Sequence, residues 1–323
     1  MRRALAALAL VLAASCGSGG TPAPNASAGA CAAATFILAN PAGLLCLDDT
    51  AKVLGRVVDL PPTAAPALPS LSPDRKQVLF ALTKAPDPKT GFGTDIYAVN
   101  LDGTDMHPVV PHESENVFYD TPRLDPTGTL LYFHRNAAVV KNGTYVGNDS
   151  TIERLNLKTG ERVRLLTDAA DPSISHDGKL IAFIHLKDGQ NDNVWIADSD
   201  GSNPHVLFKD TWFYVQAPRF SPASDTIVFC AAGHKAPKAQ DEALPRSAHL
   251  GIPSEVFVVN ADGTGLKSLA QTGDDTFPAW SSDGSSLAYV STGAFFQLSL
   301  KDGAIKTLAS GDNFFFGDIT WLK

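Results

Sequence analysis

Pro172-Ser173-Ile174-Ser175-His176-Asp177 leads directly into Gly178-Lys179 and the apolar run Leu180-Ile181-Ala182-Phe183. The same arrangement stands at Pro69-Ser70-Leu71-Ser72-Pro73-Asp74 and at Pro122-Arg123-Leu124-Asp125-Pro126-Thr127. Less regular copies follow at Pro218-Arg219-Phe220-Ser221-Pro222-Ala223 and Pro278-Ala279-Trp280-Ser281-Ser282-Asp283. The last residues of the five copies fall at 74, 125, 177, 223 and 283, so the steps are 51, 52, 46 and 60. A period in that range marks a chain built from repeated supersecondary units.

Working outward, each copy enters a short run of β-formers, such as Val78-Leu79-Phe80 or Leu287-Ala288-Tyr289-Val290. A second run follows, as in Ile96-Tyr97-Ala98-Val99 and Val256-Phe257-Val258-Val259, and then a turn. The turns are Asp102-Gly103, Asp200-Gly201, Asp262-Gly263 and Asp302-Gly303, with Thr159-Gly160 in the remaining copy. Such pairs supply the positive φ of a tight hairpin. Asp198-Ser199-Asp200-Gly201 does not read as a calcium loop, because no bidentate acid follows at the required place. Runs bounded in this way are strands, and no stretch sustains a helical period after the N-terminal segment.

Each unit is therefore expected to be a four-stranded antiparallel sheet, A to D from the inside outward, and sheets of this kind arranged radially form a β-propeller. The motif resembles the WD40-like PD40 repeats of TolB-type propellers, Ser-Pro-Asp-Gly before an apolar strand and a later strand ending in Asp-Gly. The resemblance covers residues 35–323 and implies a propeller; Thr127 and Ala223 depart from its aspartate. Ile319-Thr320-Trp321 aligns with Pro278-Ala279-Trp280 as a lone A strand, and the stretch from Thr35 to Val58 supplies three more. The expectation is thus an all-β, six-bladed propeller whose last blade is closed by N- and C-terminal strands. TolB carries a separate N-terminal α/β domain, for which this chain is expected to have no room.

Ahead of residues 35–323 lie two further segments. Arg2-Arg3 and the apolar run Ala4 to Ala14 read as a signal peptide over 1–15, too short to cross a bilayer permanently. Ala13-Ala14-Ser15-Cys16 resembles a bacterial lipobox, which implies cleavage before Cys16 and its lipidation; Leu12 sits one place earlier than the usual leucine. Residues 16–34 read as a lipidated cysteine and a flexible linker rich in Gly, Ser, Ala, Pro and Thr. The formal charge is −8, and loss of Arg2 and Arg3 with the signal makes it −10, which disfavours nucleic acid. An oxidising envelope allows one disulfide; Cys31 with Cys46 is favoured by their nearness in sequence, and Cys230, in an apolar run, reads as an inert thiol.

Antiparallel order places the B–C and D–A connections on one face, and the long connections all fall there: Thr83–Thr94, Asn136–Ser150, Gly233–Ser254, His107–Thr121 and Lys209–Gln216. Long connections of this kind carry function. On this face Phe118, Tyr119, Trp212 and Tyr214 read either as a partner-binding platform or as caps on the core, and Phe314-Phe315-Phe316 belongs to the same group. His112, His234, Arg246 and His249 join them; His234 and His249 are 15 apart, which is no metal spacing. Arg123 and Arg219 hold equivalent A-strand positions and are expected to line the channel, either paired with acids or holding an anion.

No Gly-x-Ser-x-Gly elbow, His-Glu-x-x-His or phosphate loop occurs, so no catalytic residue, metal or cofactor is assigned. The expected function is that of a monomeric, non-enzymatic envelope lipoprotein, on the outer membrane's periplasmic face or the cell surface, that binds a protein or glycan through its loop-rich face. The alternative is a carbohydrate-active lyase with a metal held by histidines.

Overall fold

The computed structural model describes residues 30–235, 253–314 and 317–323. The described chain is strand almost throughout, with short 3-10 turns at Ala30–Ala33 and Asp312–Phe314. The strands begin with β1 (Phe36–Asn40), β2 (Gly43–Leu47) and β3 (Val53–Arg56). Next come β4 (Ala65–Leu71), β5 (Gln77–Thr83), β6 (Gly93–Asn100), β7 (His107–Val110), β8 (Val117–Leu124), β9 (Leu130–Lys141), β10 (Thr144–Asn156) and β11 (Arg162–Thr167). They are followed by β12 (Ala169–Ile174), β13 (Leu180–Lys187), β14 (Gln190–Asp198) and β15 (His205–Val206), then by β16 (Thr211–Phe220), β17 (Thr226–Lys235), β18 (Ser254–Asn260) and β19 (Lys267–Thr272). The chain ends with β20 (Ala279–Trp280), β21 (Ser286–Ser291), β22 (Ala294–Ser299), β23 (Ile305–Ser310) and β24 (Asp318–Trp321).

The architecture is an all-β propeller arrangement, but the expected six separate four-stranded blades are not what forms. Four sheets have four strands: β24-β1-β2-β3, β12-β13-β14-β15, β16-β17-β18-β19 and β20-β21-β22-β23. The strands from β4 to β11 instead make one eight-stranded sheet, so the blade count is corrected to four blades and a fused sheet. The fusion is a parallel pairing of β6 with β8, Gly93 against Val117 and Thr94 against Phe118. Gly93 permits it: a Cβ there would collide with the Val117 carbonyl oxygen and lie 2.6 Å from His112 Cδ2. The Asn116 amide extends the seam by donating to Phe92 O at 2.7 Å.

The repeated motif turns out to be a hydrogen-bonded bend between successive strands. Ser72 Oγ donates to Asp74 Oδ1 at 2.7 Å and accepts from the Gln77 amide at 3.0 Å. Ser175 with Asp177 and Ser281 with Asp283 repeat the bond at 2.7 and 2.6 Å. The irregular copies keep the bond with the roles moved. Thr127 Oγ1 donates to Asp125 at 2.6 Å, and Ser221 Oγ reaches Asp225 at 2.8 Å where residue 223 is alanine.

The core lies between neighbouring sheets. Ile184, Val194 and Ile196 meet Trp212, Val215, Phe229 and Phe257, while Phe36, Leu38 and Leu45 meet Val290 and Phe295. Each such side chain contributes about 1.5–3 kcal/mol when fully buried. At Gly263 the backbone has φ +82°, and a Cβ would strike the carbonyl oxygen of Leu207 in the preceding segment. The Asp-Gly turn is therefore also a docking point.

Candidate functional site

One expected loop is a strand pair. Asn136–Ser150 continues β9 and β10, with a register shift at Val146 between Tyr145 and Gly147, through a turn at Asn142-Gly143, where both residues have positive φ. The hairpin carries three large apolar side chains in solvent: Val140 at 56%, Tyr145 at 57% and Val146 at 53% exposed. Tyr145 and Val140 are direct cross-strand partners, so the apolar atoms are adjacent.

Charged and aromatic groups brace the hairpin base. Arg135 donates to Glu113 at 2.9 Å and to Asp149 at 3.2 Å, and Arg164 reaches Asp149 at 2.8 Å. Tyr119 is fully buried; its hydroxyl donates to Glu113 and accepts from Arg162 Nη2 at 2.6 Å. Burial, then the Glu113 carboxylate, pushes the Tyr119 phenol up to about 12 against the pull of Arg162, so it stays a donor. Phe118 is half-buried and meets Phe92 edge-on at 5.7 Å.

The other aromatics sit deeper than a contact platform needs. Trp212 is 5% exposed, with Phe208, Phe229 and Phe257 around it. Tyr214 is half-buried, and its hydroxyl donates to Gln216 Oε1 at 2.6 Å. Phe314 is buried against Phe295. The backbone of His234 pairs with Trp212 in the ladder between β16 and β17. Arg246, His249, Cys16 and the signal peptide lie outside the described residues.

His112 belongs to a buried chain of polar groups. Its Nδ1 and backbone amide share Asp95 Oδ1 at 2.5 and 2.8 Å, and its Nε2 lies 2.9 Å from Thr90 Oγ1. Asp95 Oδ2 meets Lys84 Nζ at 2.8 Å, and Lys84 also donates to the Tyr97 hydroxyl at 2.7 Å. Burial works against the Asp95 anion, yet Lys84 and His112 hold its carboxyl below the usual range. These groups border an open cleft of about 610 Å³ and strap the segment between Lys84 and Phe92 onto β6. Sequence reasoning missed the strap because its members come from three separate segments.

Around the axis, β24, β4, β8, β12 and β16 follow one another, with β20 beside β24. Arg219 Nη1 donates to Asp171 Oδ1 at 2.8 Å, with side chains only 14% and 13% exposed. The Ala217 amide donates to Asp171 Oδ2 at 2.7 Å. Arg123 donates to its neighbour's carbonyl, Pro122 O, at 2.8 Å. Burial, then the like charge of Arg219, lowers its guanidinium to about 9, with Asp171, Asp318 and Asp120 opposing. Charges from four sheets thus converge on the axis.

His134 Nδ1 faces the Asp120 carboxylate at 3.0 and 3.1 Å, and its Nε2 is buried without a partner. Burial opposes its charging, but Asp120 and Asp171 prevail and raise its pKa. Cys31 and Cys46 form a disulfide joining the entering chain to β2; Cys230 is a free, buried thiol. Among the described residues no three His, Cys, Asp or Glu side chains come together as a metal-binding set.

No family model matches the sequence, and neither does any curated protein. Solved structures do match. Over 89% of this chain and 66% of the other it is similar to TolB from Acinetobacter baumannii, at 16% identity and a TM-score of 0.64. This chain therefore spans a little less than two thirds of that protein. A chain of the nidogen/laminin complex matches over 88% of this chain and 97% of its own, at 13% identity and a TM-score of 0.62. A protein from Agrobacterium tumefaciens assigned to TolB matches over 89% and 97%, at 17% identity and 0.56. The chain has the β-propeller fold that these structures share.

Proposed function

We propose that this protein is a non-enzymatic propeller scaffold of a bacterial envelope, held to a membrane by a lipid on Cys16, that binds a protein partner through the face bearing the β9–β10 hairpin. The observation that supports this reading is the exposed apolar tip of Val140, Tyr145 and Val146 on a braced hairpin. Three adjacent large apolar side chains in water are an unfavourable surface unless something covers them. Tyrosine flanked by aliphatic groups suits a protein surface, and a rigid base lowers the ordering entropy lost on binding. The lipobox-like Ala13-Ala14-Ser15-Cys16 and the fold shared with TolB support the envelope location.

The test is crosslinked capture from envelope membranes with the full chain and with Val140→Ser/Tyr145→Ser/Val146→Ser. The triple variant should fold normally and lose its crosslinked partner. Undiminished capture of the same partner would overturn the reading. For the anchor, Cys16→Ser should move the protein from the membrane to the soluble fraction.

A further inference from the structure

The axial strands share a short step that is satisfied in one place and open in another. In β4, β8, β12 and β16 the step starts inside a bulge, at Leu68, Thr121, Asp171 and Ala217, all with positive φ. In β24, which has no bulge, the matching position is Asp318. Two residues later stand Ser70, Arg123, Ser173, Arg219 and Thr320. Between β12 and β16 every polar group finds its complement. Asp171 takes the Arg219 guanidinium and the Ala217 amide, and Ser173 Oγ accepts from the Phe220 amide at 3.0 Å.

Between β4 and β8 the complement is missing. Arg123 stands where Arg219 stands, but Leu68 occupies the place of Asp171. Arg123 forms no ion pair among the described residues and donates only to Pro122 O. Ser70, the counterpart of Ser173, is 8% exposed and its Oγ has no partner. On the other side of Leu68, Asp318 Oδ2 accepts the Leu68 amide at 2.8 Å, and no cation lies in ion-pair range of it among the described residues. Leu68 is therefore flanked by a guanidinium and a carboxylate that make no direct ion pair, although Arg123 and Asp318 act on each other at longer range. The backbone does not call for leucine here, since φ is +53°, a conformation that Asp or Asn adopts more readily.

We propose that this gap binds a small amino-carboxylate, its carboxylate on Arg123 and Ser70 Oγ and its ammonium towards Asp318. Arg123 is half-buried and makes no direct pair with the carboxylates around it, and a forked pair with a carboxylate is the geometry that arginine serves best. Asp171 already displays such a carboxylate to Arg219, one strand further round the axis from Arg123. Asp318 adds selectivity, since a plain acid would bring a second negative charge near it without a cation.

Thermal unfolding and calorimetric titration of the full chain with glycine, β-alanine, 4-aminobutyrate, acetate and methylamine test this. At least one amino-carboxylate should raise Tm in a concentration-dependent way and bind more tightly than acetate or methylamine. Arg123→Lys, which keeps the charge but loses the fork, should bind about tenfold more weakly. Leu68→Asp should remain folded and lose binding, because its own carboxylate fills the gap. The proposal is overturned if no amino-carboxylate binds, if acetate binds as tightly, or if Leu68→Asp binds unchanged.

Discussion

Asp171 and Arg219 form the completed ion pair of the axis, Oδ1 to Nη1 at 2.8 Å with both side chains largely enclosed. The pair ties β12 to β16, and the Ala217 amide on the second oxygen fixes the carboxylate in place. Asp171→Ala removes the anion and leaves a buried guanidinium behind, so unfolding free energy should fall by about 3–5 kcal/mol. Asp171→Asn keeps an acceptor for Ala217 and should lose less. Urea titrations of both variants, and of a double variant with Arg219→Met, measure the coupling; a loss below about 1 kcal/mol for Asp171→Ala would contradict it.

Asp318 should make stability fall as the pH rises through the mildly acidic range. Burial pushes its carboxyl up to about 6 from an ordinary 3.8, so the folded chain keeps a proton that the unfolded chain has released. This group's contribution is fully present below the unfolded value and is lost as pH climbs through about 6. Asp318→Asn keeps an acceptor for the Leu68 amide without the charge. It should stabilise by about 1–2 kcal/mol at pH 8, allowing for solvent screening, and leave stability at pH 4 unchanged. Thermal melts at the two pH values decide; equal shifts at both would contradict the argument.

Cys230 should be chemically silent in the folded protein. Burial pushes its thiol up to about 12, and the Sγ accepts from the Thr276 amide at 3.4 Å. Iodoacetamide at pH 8 should leave the peptide containing Cys230 unlabelled in native protein and label it fully in denaturant. Rapid native labelling, read by peptide mass spectrometry, would contradict the burial.

Two turn glycines should respond differently to alanine. Gly303 has φ +73° and open space around a new Cβ, so Gly303→Ala should cost about 1 kcal/mol, the backbone term alone. Gly263→Ala adds a collision with the Leu207 carbonyl oxygen and should cost about 3 kcal/mol or more. Chemical denaturation of both variants tests the difference, and equal losses would show that the docking contact carries no weight.

Strands, turns and the repeated bend were legible because they rest on local chemistry. Ser72, Asp74 and Gln77 are close in sequence, so their bonds leave a local pattern. The merging of β6 and β8 was not legible, because it depends on Gly93 meeting Val117, 24 residues away and across a blade boundary. The same limit affected the site. Phe118, Tyr119, Trp212 and Tyr214 read as a cluster, but whether an aromatic faces water depends on strand parity and on bulges, such as the shift between Gln216 and Arg219. The exposed hairpin did leave a signal, Asn142-Gly143 between apolar runs, which marks a tight turn rather than a loop.

The seam at Gly93 divides the molecule into unequal mechanical parts. Elsewhere neighbouring sheets adhere through interdigitated side chains, which part without breaking a backbone ladder. From β4 to β11 the junction is itself hydrogen-bonded backbone, so these strands share one continuous network. A local opening in this half must propagate or close again, whereas the four-stranded sheets are free to loosen one at a time. Native-state hydrogen exchange would then show β4–β11 opening as a single block, and the hairpin proposed to bind a partner rises from that block.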